Sequence, residues 1–308
     1  MPVLTPSIDS SATSNGGDPF LRWQIGDVRV TRVVEHVSNG IGKRVLPQAT
    51  PDELRQIPWL YPDYVDQDDR LLLSVHALVV ETPDLRLIVD TCVGNDKQRR
   101  YRAWNQLQLP FLEHLGLAGY PPESIDRVLC THLHVDHVGW NTRLVGEGDS
   151  RHWAPTFPNA RYLFGRDEWQ HWQNATEDPL AQDPVLDDSV RPILDAGLAD
   201  LVATDHQVCP EVQLRPSPGH TPGHVSVWIS SRGEQAVITG DSIHHPCQCV
   251  HPDWSAAPDF DPEQSRATRR ALLEQCASEP ILLIGTHFAG ATAGRVVRDG
   301  DAYRLVTD

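Results

Sequence analysis

The sequence lacks the features that would place it in a membrane or an export pathway. No segment approaches the ~20 consecutive apolar residues of a membrane span. The first stretch, MPVLTPSIDSSATSNGGDPF, has neither the basic start nor the apolar run of a secretory signal. We therefore expect a soluble, cytoplasmic protein that does not bind membranes.

The sequence also has few basic residues, and its cysteines lack the close spacing of a disulfide framework. The 308 residues carry 26 Lys and Arg against 42 Asp and Glu, a formal net charge of −16. Nucleic-acid partners are disfavoured, because they require basic side chains to displace counterions from phosphates. The cysteines are scattered, so we expect reduced thiols; they are Cys92, Cys130, Cys209, Cys247, Cys249 and Cys276.

Hydrophobic residues make up 40% of the chain, which is sufficient for a folded protein with a sizeable core. Residues 1–20 are rich in Ser, Thr, Gly and Pro and predict a flexible arm, either mobile or clasping a second copy in a homodimer. A single catalytic domain is expected over residues 21–308.

Apolar patterning predicts an alternation of strands and helices. Residues 71–80 and 85–91 are expected to form a hairpin, and Asp261 with Pro262 is expected to open a helix that runs to about Cys276. The other predicted strands are 27–36, 127–131, 160–164, 235–241 and 281–287, and residues 211–231 are predicted to form a strand, a Pro/Gly loop and a second strand. The other predicted helices are part of 97–117, 165–174 and 187–197.

Four loops after apolar strands or Pro/Gly turns carry imidazole or carboxylate groups. The first, THLHVDHVGW, begins directly after the apolar run Val128-Leu129-Cys130. Its His132 and His134 are two residues apart, so both side chains project to one side of an extended segment and can bind one ion. The remaining members of the constellation are Asp136, His137, His220, Asp241 and His287.

Imidazole nitrogen and carboxylate oxygen are ligands that suit zinc, and the lack of cysteine at these positions argues against a closed structural site. Asp241 has two oxygens and can bridge two ions, while His220 and His287 can complete one coordination sphere each. An open, water-bearing site with two Zn²⁺ per chain is expected, and Fe or Mn is an alternative.

The His-x-His-x-Asp-His signature, His220 in SPGHTPGH, Asp241 in ITGDS and His287 in IGTHF resemble the ligand motifs of metallo-β-lactamase-fold hydrolases, in kind and in order. The resemblance covers about residues 27–290 and implies a four-layer αββα sandwich of class α+β, with two mixed sheets flanked by helices. It assigns His132, His134 and His220 to one metal, Asp136, His137 and His287 to the other, and Asp241 to the bridge.

Several neighbouring residues have weaker claims to the site. His224 is expected to brace its loop, and Asp90 to support the ligands from a strand end. The spacing of Trp169 and Trp172 predicts one buried helical stripe. Four residues are predicted to contact substrate: Trp140, Trp59, Trp254 and His245. Three histidines can either reach substrate or be solvated loop residues, and the second interpretation is favoured; they are His244, His245 and His251.

Two zinc ions would lower the pKa of a shared water and polarise the substrate's oxygen, so hydrolysis by a bridging hydroxide is predicted. Asp136 and Asp241 are the expected catalytic carboxylates, since Asp136 can orient the attacking hydroxide. No Gly-x-Ser-x-Gly nucleophile motif is present.

The sequence differs from two other branches of the family that it resembles, and these differences reduce the number of possible reactions. A β-lactamase tends to have Cys or Ser where Asp241 stands, and nuclease branches need a basic channel. The pattern is similar to that of N-acyl homoserine lactonases and methyl-parathion-hydrolase-like enzymes, which implies a small neutral, partly apolar lactone or ester as substrate.

Three alternatives remain open at this stage. The same site can hydrolyse organophosphate triesters or activated aryl halides. A mononuclear iron dioxygenase of the persulfide type shares the fold, and a non-enzymatic metal sensor is the least favoured, because the site lacks cysteine-rich closure.

Overall fold

The computed structural model describes residues 19–175 and 184–307. Residues 1–18 of the predicted arm lie outside the described residues. The helices of the described part are α1 Gly42–Val45, α2 Pro51–Leu54, α3 Phe111–Leu117, α4 Arg166–Asn174, α5 Arg191–Asp195, α6 Cys247–Val250 and α7 Pro262–Ser278; a π-helical turn, Leu186–Val190, directly precedes α5.

Seven strands form the first sheet, in the order β1-β2-β3-β4-β5-β8-β9. β3 and β4 pair antiparallel with Leu78 opposite Val89, and β4, β5, β8 and β9 pair in parallel. The strands are β1 Arg22–Ile25, β2 Val28–Ser38, β3 Leu73–Glu81, β4 Arg86–Val89, β5 Arg127–Leu129, β8 Arg161–Gly165 and β9 Ala199–Val202; β6 Thr142–Val145 and β7 His152–Pro155 form a separate pair.

The second sheet has seven strands in sequence order, β10 to β16. β13 and β14 pair in parallel, as the α7 crossover between them allows, and the other neighbours pair antiparallel. The strands are β10 Gln207–Cys209, β11 Val212–Pro216, β12 Val225–Ser231, β13 Glu234–Ile238, β14 Ile281–Ile284, β15 Ala293–Asp299 and β16 Ala302–Val306.

Helix α7 begins as the sequence predicts. The Asp261 side chain accepts the backbone N–H groups of Glu263 at 3.1 Å and Gln264 at 3.0 Å, and Pro262 occupies the first turn. The cap satisfies two of the donors that a helix start leaves without partners. The helix runs to Ser278, two residues beyond the predicted end.

The chain divides into two compact units. Of the described residues, unit 1 contains those from Val37 to Ser74 and from Thr204 onward, with the second sheet, and unit 2 contains residues 19–36 and those between Val75 and Ala203. Unit 1 has its own apolar cluster, in which Leu60, Leu273 and Phe288 are buried. A single catalytic domain over residues 21–308 stays a prediction.

Mixed sheets with helices confirm the predicted α+β class. All six cysteines lie in the described part and are free thiols, as expected. Among the residues that the structure describes, none of the helices is sufficiently long and apolar to cross a bilayer.

Candidate metal centre

In unit 2, four ligand candidates follow strand β5 within one loop. The strand ends at Leu129, so the motif is a loop and turn rather than the extended segment that the sequence predicts. The turn closes with a backbone hydrogen bond from His137 to His134, 3.1 Å. His132 Nε2 and His134 Nδ1 nevertheless lie 3.0 Å apart, so both rings face one point.

The second half of the loop carries Asp136 and His137. Asp136 is half-buried, and its Oδ1 lies 3.6 Å from His137 Nε2. The carboxylate and the imidazole thus face each other, as expected for two ligands of one ion. Their ligand atoms fall within 4.8 Å of one another, as do those of His132 and His134.

Asp90 supports this loop from the end of β4, as predicted. Its backbone is in the left-handed region (φ 57°), which a short polar side chain tolerates. One carboxylate oxygen accepts the backbone N–H of Thr131 at 2.7 Å; the other accepts the Thr131 hydroxyl at 2.9 Å and lies 2.9 Å from His137 Nδ1. With Nδ1 engaged, the Nε2 of His137 is oriented toward Asp136.

Helix α4 supports the loop from another direction. Buried Glu168 accepts the backbone N–H of Leu133, between the two leading histidines, at 3.1 Å and the indole N–H of Trp172 at 2.6 Å. The Trp172 ring meets the His134 ring edge-on, with centroids 5.2 Å apart. Trp172 is buried as predicted, but Trp169 is only half-buried, so the predicted stripe holds for one of its two members. The role of Glu168 was not foreseen.

In unit 1, three ligand candidates converge from separate loops. Asp241 follows β13 in the 3₁₀ turn Gly240–Ser242, and His287 follows the neighbouring parallel strand β14. Asp241 Oδ2 lies 3.3 Å from His220 Nε2, and Oδ1 lies 3.1 Å from His287 Nε2. One carboxylate therefore presents a different oxygen to each imidazole, the arrangement that a bridging ligand needs.

His224 braces Asp241, as predicted, and does so through the backbone. Its Nε2 accepts the backbone N–H of Asp241 at 2.8 Å, and its Nδ1 lies 3.0 Å from the carbonyl oxygen and 2.8 Å from the hydroxyl of Ser217. Both nitrogens of this buried ring are thus engaged away from any ion.

The two histidines of unit 1 that are ligand candidates are held at Nδ1. His287 Nδ1 lies 2.9 Å from the Ser74 carbonyl oxygen, and His220 Nδ1 lies 2.9 Å from Asp259 Oδ1. Burial raises the pKa of Asp259, but the hydrogen bond from His220 and nearby positive charge outweigh it and hold that pKa below its usual value. Asp259, like Glu168, was not foreseen from the sequence.

The histidines that follow Asp241 are not solvated loop residues, so that reading is wrong for His244 and His245, which are both buried. His244 Nε2 lies 3.2 Å from Asp241 Oδ2, and burial lowers the pKa of His244. His245 is bonded through Nε2 to the Tyr64 carbonyl oxygen at 2.8 Å, and burial lowers its pKa to about 4. His251 is half-buried and stacks on Trp254 at 4.1 Å between centroids.

The residues predicted to contact substrate differ in placement. Trp140 is buried, donates its indole N–H to Glu35 at 2.7 Å and stacks on Phe111. Trp59 and Trp254 are half-buried against the apolar cluster of unit 1. His245 has both ring nitrogens engaged inside the unit, since its Nδ1 accepts the backbone N–H of Cys247. Substrate contact by these four stays a prediction, one that the hydrogen bonds of His245 disfavour.

The donor set fits a divalent metal. Each unit offers imidazole nitrogens and carboxylate oxygens without cysteine, donors that zinc, iron and manganese accept. The supported nitrogens Nδ1 of His137, His220 and His287 leave Nε2 for coordination, as is usual for histidine ligands.

Comparison with known proteins agrees with this chemistry. The sequence profile of the metallo-beta-lactamase superfamily matches residues 70–287. An N-acyl homoserine lactonase of Bacillus thuringiensis is 26% identical over 172 residues, 56% of this chain. The chain spans only 59% of the length of that relative.

Two solved structures share the fold. AidC, a dizinc quorum-quenching lactonase in complex with the product N-hexanoyl-L-homoserine, has a TM-score of 0.73 at 20% identity, covering 94% of this chain and 97% of its own. The hydrolase AbOPH of the beta-lactamase superfamily has a TM-score of 0.72 at 23% identity, with the same coverage.

Proposed function

Because the chain belongs to the metallo-beta-lactamase superfamily, we propose that it is a zinc-dependent hydrolase whose substrate is a neutral, partly apolar lactone or carboxylic ester. Seven residues are proposed to hold two ions. They are His132, His134 and His220 for one, Asp136, His137 and His287 for the other, and Asp241 for both.

The observation that carries the proposal is the geometry of Asp241. Its two oxygens face the Nε2 atoms of two different histidines at 3.3 and 3.1 Å, while the Nδ1 atoms of both histidines are engaged elsewhere. Two coordination spheres joined by one carboxylate would account for two imidazoles on different oxygens, and His244 Nε2 lies 3.2 Å from Oδ2 as a further neighbour of Asp241.

Two bound zinc ions would lower the pKa of water toward ~7 and polarise the carbonyl oxygen of the substrate. The chain's own residues then have defined tasks. Asp241 lies between His220 and His287, and His224 fixes the backbone of Asp241. Asp136 is proposed to orient the attacking water.

The substrate class is supported by the curated relatives, which are named N-acyl homoserine lactonases, and by AidC, which contains an N-acyl homoserine product. Half-buried Trp59 and Trp254 supply apolar surface from loops, which suits a neutral ester. A small-molecule substrate and a homodimer complete the proposal; sedimentation of the full chain tests the dimer.

A rate panel on the zinc-loaded protein tests the function. Lactones, aryl esters, phosphotriesters and a cephalosporin are compared at equal enzyme concentration, with metal content measured in parallel. Two zinc ions per chain and fastest turnover of lactones or esters are expected. Fastest turnover of phosphotriesters would replace the substrate class, and one iron per chain with oxygen uptake would contradict hydrolysis.

Asp241→Ala is the decisive variant. We expect kcat/KM to fall at least ~10³-fold, because both ions lose a shared ligand. Asp253→Ala, which removes an exposed carboxylate that pairs with Arg270, is the control and should keep parental turnover. Full turnover by the Asp241 variant would reject the bridge.

A further inference from the structure

Asp259 is a buried carboxylate outside the seven proposed ligands, yet it touches one of them. Its Oδ1 lies 2.9 Å from His220 Nδ1, and its Oδ2 accepts the backbone N–H of Ala256 at 2.9 Å. The side chain is fully buried. A buried carboxylate costs free energy unless its partners compensate it, so its position requires an explanation.

The backbone around Asp259 is docked onto the His220 loop. The N–H of Phe260 donates to the His220 carbonyl oxygen at 3.0 Å, and the N–H of Asp261 donates to the Gly219 carbonyl oxygen at 2.8 Å. Gly219 has φ +127°, and a Cβ there would lie 2.2 Å from the Ser265 nitrogen. Only glycine permits this close approach to the start of α7. The His220 loop and the Asp259 segment are therefore packed together around the His220–Asp259 contact.

Arg269 of helix α7 fixes the loop that leads to Asp259. Its guanidinium, which is fully buried, donates to the carbonyl oxygens of Ser242 at 2.9 Å, Pro252 at 2.8 Å and Trp254 at 2.9 Å. The same group lies 3.8 Å from Asp259 Oδ2. One arginine therefore holds the chain between Asp241 and Asp259 and places positive charge beside the carboxylate.

The hydrogen bond to Asp259 also decides where the His220 proton lies. An ionised carboxylate only accepts, so in neutral His220 the proton resides on Nδ1 and Nε2 carries a lone pair. That lone pair faces Asp241 Oδ2 at 3.3 Å, another acceptor. A cation bound between Nε2 and Oδ2 would be held by both atoms, and Asp259 thus prepares Nε2 for metal.

We propose that Asp259 is a positioning residue that fixes the ring orientation and tautomer of His220 for metal binding, and that Arg269 acts through it by anchoring its loop. The metal part of this inference rests on the proposed function. The tautomer part does not, because it concerns the metal-free protein.

Zinc affinity tests the metal part. Asp259→Ala, Asp259→Asn and the parent are compared by competition with a chromophoric chelator, with Asp253→Asn as the matched control from the same loop. We expect Asp259→Ala to weaken one of the two zinc equivalents by about 10–100-fold. Asp259→Asn, whose amide oxygen can still accept from Nδ1, should lose less, and the control should be unchanged.

The His220 tautomer tests the positioning part without metal. Long-range ¹H–¹⁵N spectra of the metal-free parent should show the proton on Nδ1 of His220, and Asp259→Ala should shift it toward Nε2. A purely structural role would lower the melting temperature without moving this signal. A folded Asp259→Ala with parental zinc affinity and the parental tautomer would overturn the inference.

The two failures are distinguishable. If the parent binds no zinc, the proposed function fails while the tautomer comparison still decides the role of Asp259. If Asp259→Ala does not fold, Asp259→Asn decides instead. A folded Asn variant would reject the role of the carboxylate if it binds both zinc equivalents as tightly as the parent does, and if the His220 Nδ1 proton exchanges with water at the parental rate.

Discussion

Unit 2 carries four of the seven ligand candidates within six consecutive residues, whereas unit 1 carries three on loops that are far apart in the sequence. In unit 2 both supports bind the loop's backbone, Asp90 at Thr131 and Glu168 at Leu133, and Asp90 also contacts the His137 ring. In unit 1 each ligand has its own partner. A contiguous motif is thus fixed as one piece of chain, while dispersed ligands need separate anchors.

The largest loss of stability is expected from a substitution at the glycine where two backbone segments approach most closely. A Cβ on Gly139 would lie 1.8 Å from the Val93 carbonyl oxygen, beside the ligand loop of unit 2. Gly139→Ala should lower the free energy of unfolding by more than about 3 kcal/mol or prevent soluble expression. Gly116→Ala in α3, where nothing lies within 4 Å, is the control and should gain up to ~1 kcal/mol. Equal stabilities in urea would refute this ranking.

Removal of Asp90 tests whether the contiguous motif depends on one anchor. Asp90→Ala leaves the Thr131 N–H and His137 Nδ1 without their shared acceptor. We expect about 10–100-fold weaker zinc binding and a loss of about 2–4 kcal/mol in stability. Calorimetry and chelator competition measure both, with exposed Asp84→Ala, in the turn between β3 and β4, as control. If Asp259→Ala weakens zinc binding and Asp90→Ala does not, the contiguous motif of unit 2 does not depend on Asp90 as its anchor.

Both units bury an arginine, Arg99 in unit 2 and Arg269 in unit 1, and unit 2 also buries a lysine. In unit 2 Lys97 donates to the Thr142 hydroxyl at 2.6 Å and the Asp188 carbonyl oxygen at 2.9 Å, and burial lowers its pKa to about 7. Between about pH 7 and the ordinary lysine pKa of about 10.4, the unfolded chain keeps a proton on Lys97 that the folded chain loses, so stability rises with pH over this range.

Between pH 7 and 8.5 the parent should gain up to about 2 kcal/mol relative to Lys97→Met. Urea unfolding at both pH values measures the difference, and Lys43→Met, at an exposed lysine of α1, should follow the parent. Parallel pH profiles for the parent and Lys97→Met would show that Lys97 is charged throughout. Arg269 of unit 1 has no such transition in this range, because arginine stays protonated.

The smallest effect is expected at Trp172. Trp172→Phe keeps a ring beside His134 but removes the indole donor to Glu168. A loss of about 1 kcal/mol in thermal unfolding is expected. Trp169→Phe, which affects the half-buried neighbour on the same helix, is the control. A larger loss for Trp169→Phe would assign the stability of α4 to the other face of the helix.

The elements that the sequence predicts are those with long apolar runs or strong caps. The β3–β4 hairpin, β5, α4 and α7 follow from periodicity and from Asp261, and all are confirmed. Short strands such as β6, β7 and β10 were missed, because three or four residues of mixed polarity carry no period.

In the candidate metal centre, likewise, some residues could be predicted from the sequence and others could not. The ligand candidates stand out because imidazoles and carboxylates gather at strand ends, but their supports do not. Asp259 lies two residues before a helix cap, where a carboxylate is common, and Glu168 is an acidic residue in the first turn of α4, where a carboxylate is also common. Only the folded chain brings them to His220 and to Leu133, since no local spacing relates the partners.

The parallel pairing of β13 and β14 has a kinetic consequence. Asp241 and His287 become neighbours only after the chain has passed through α7 and returned to the sheet, a long closure that carries an entropic cost before any pairing forms. An ion bound between them stabilises contacts that form late. Zinc should therefore slow unfolding while leaving the refolding rate nearly unchanged, and stopped-flow kinetics with and without metal would show this asymmetry.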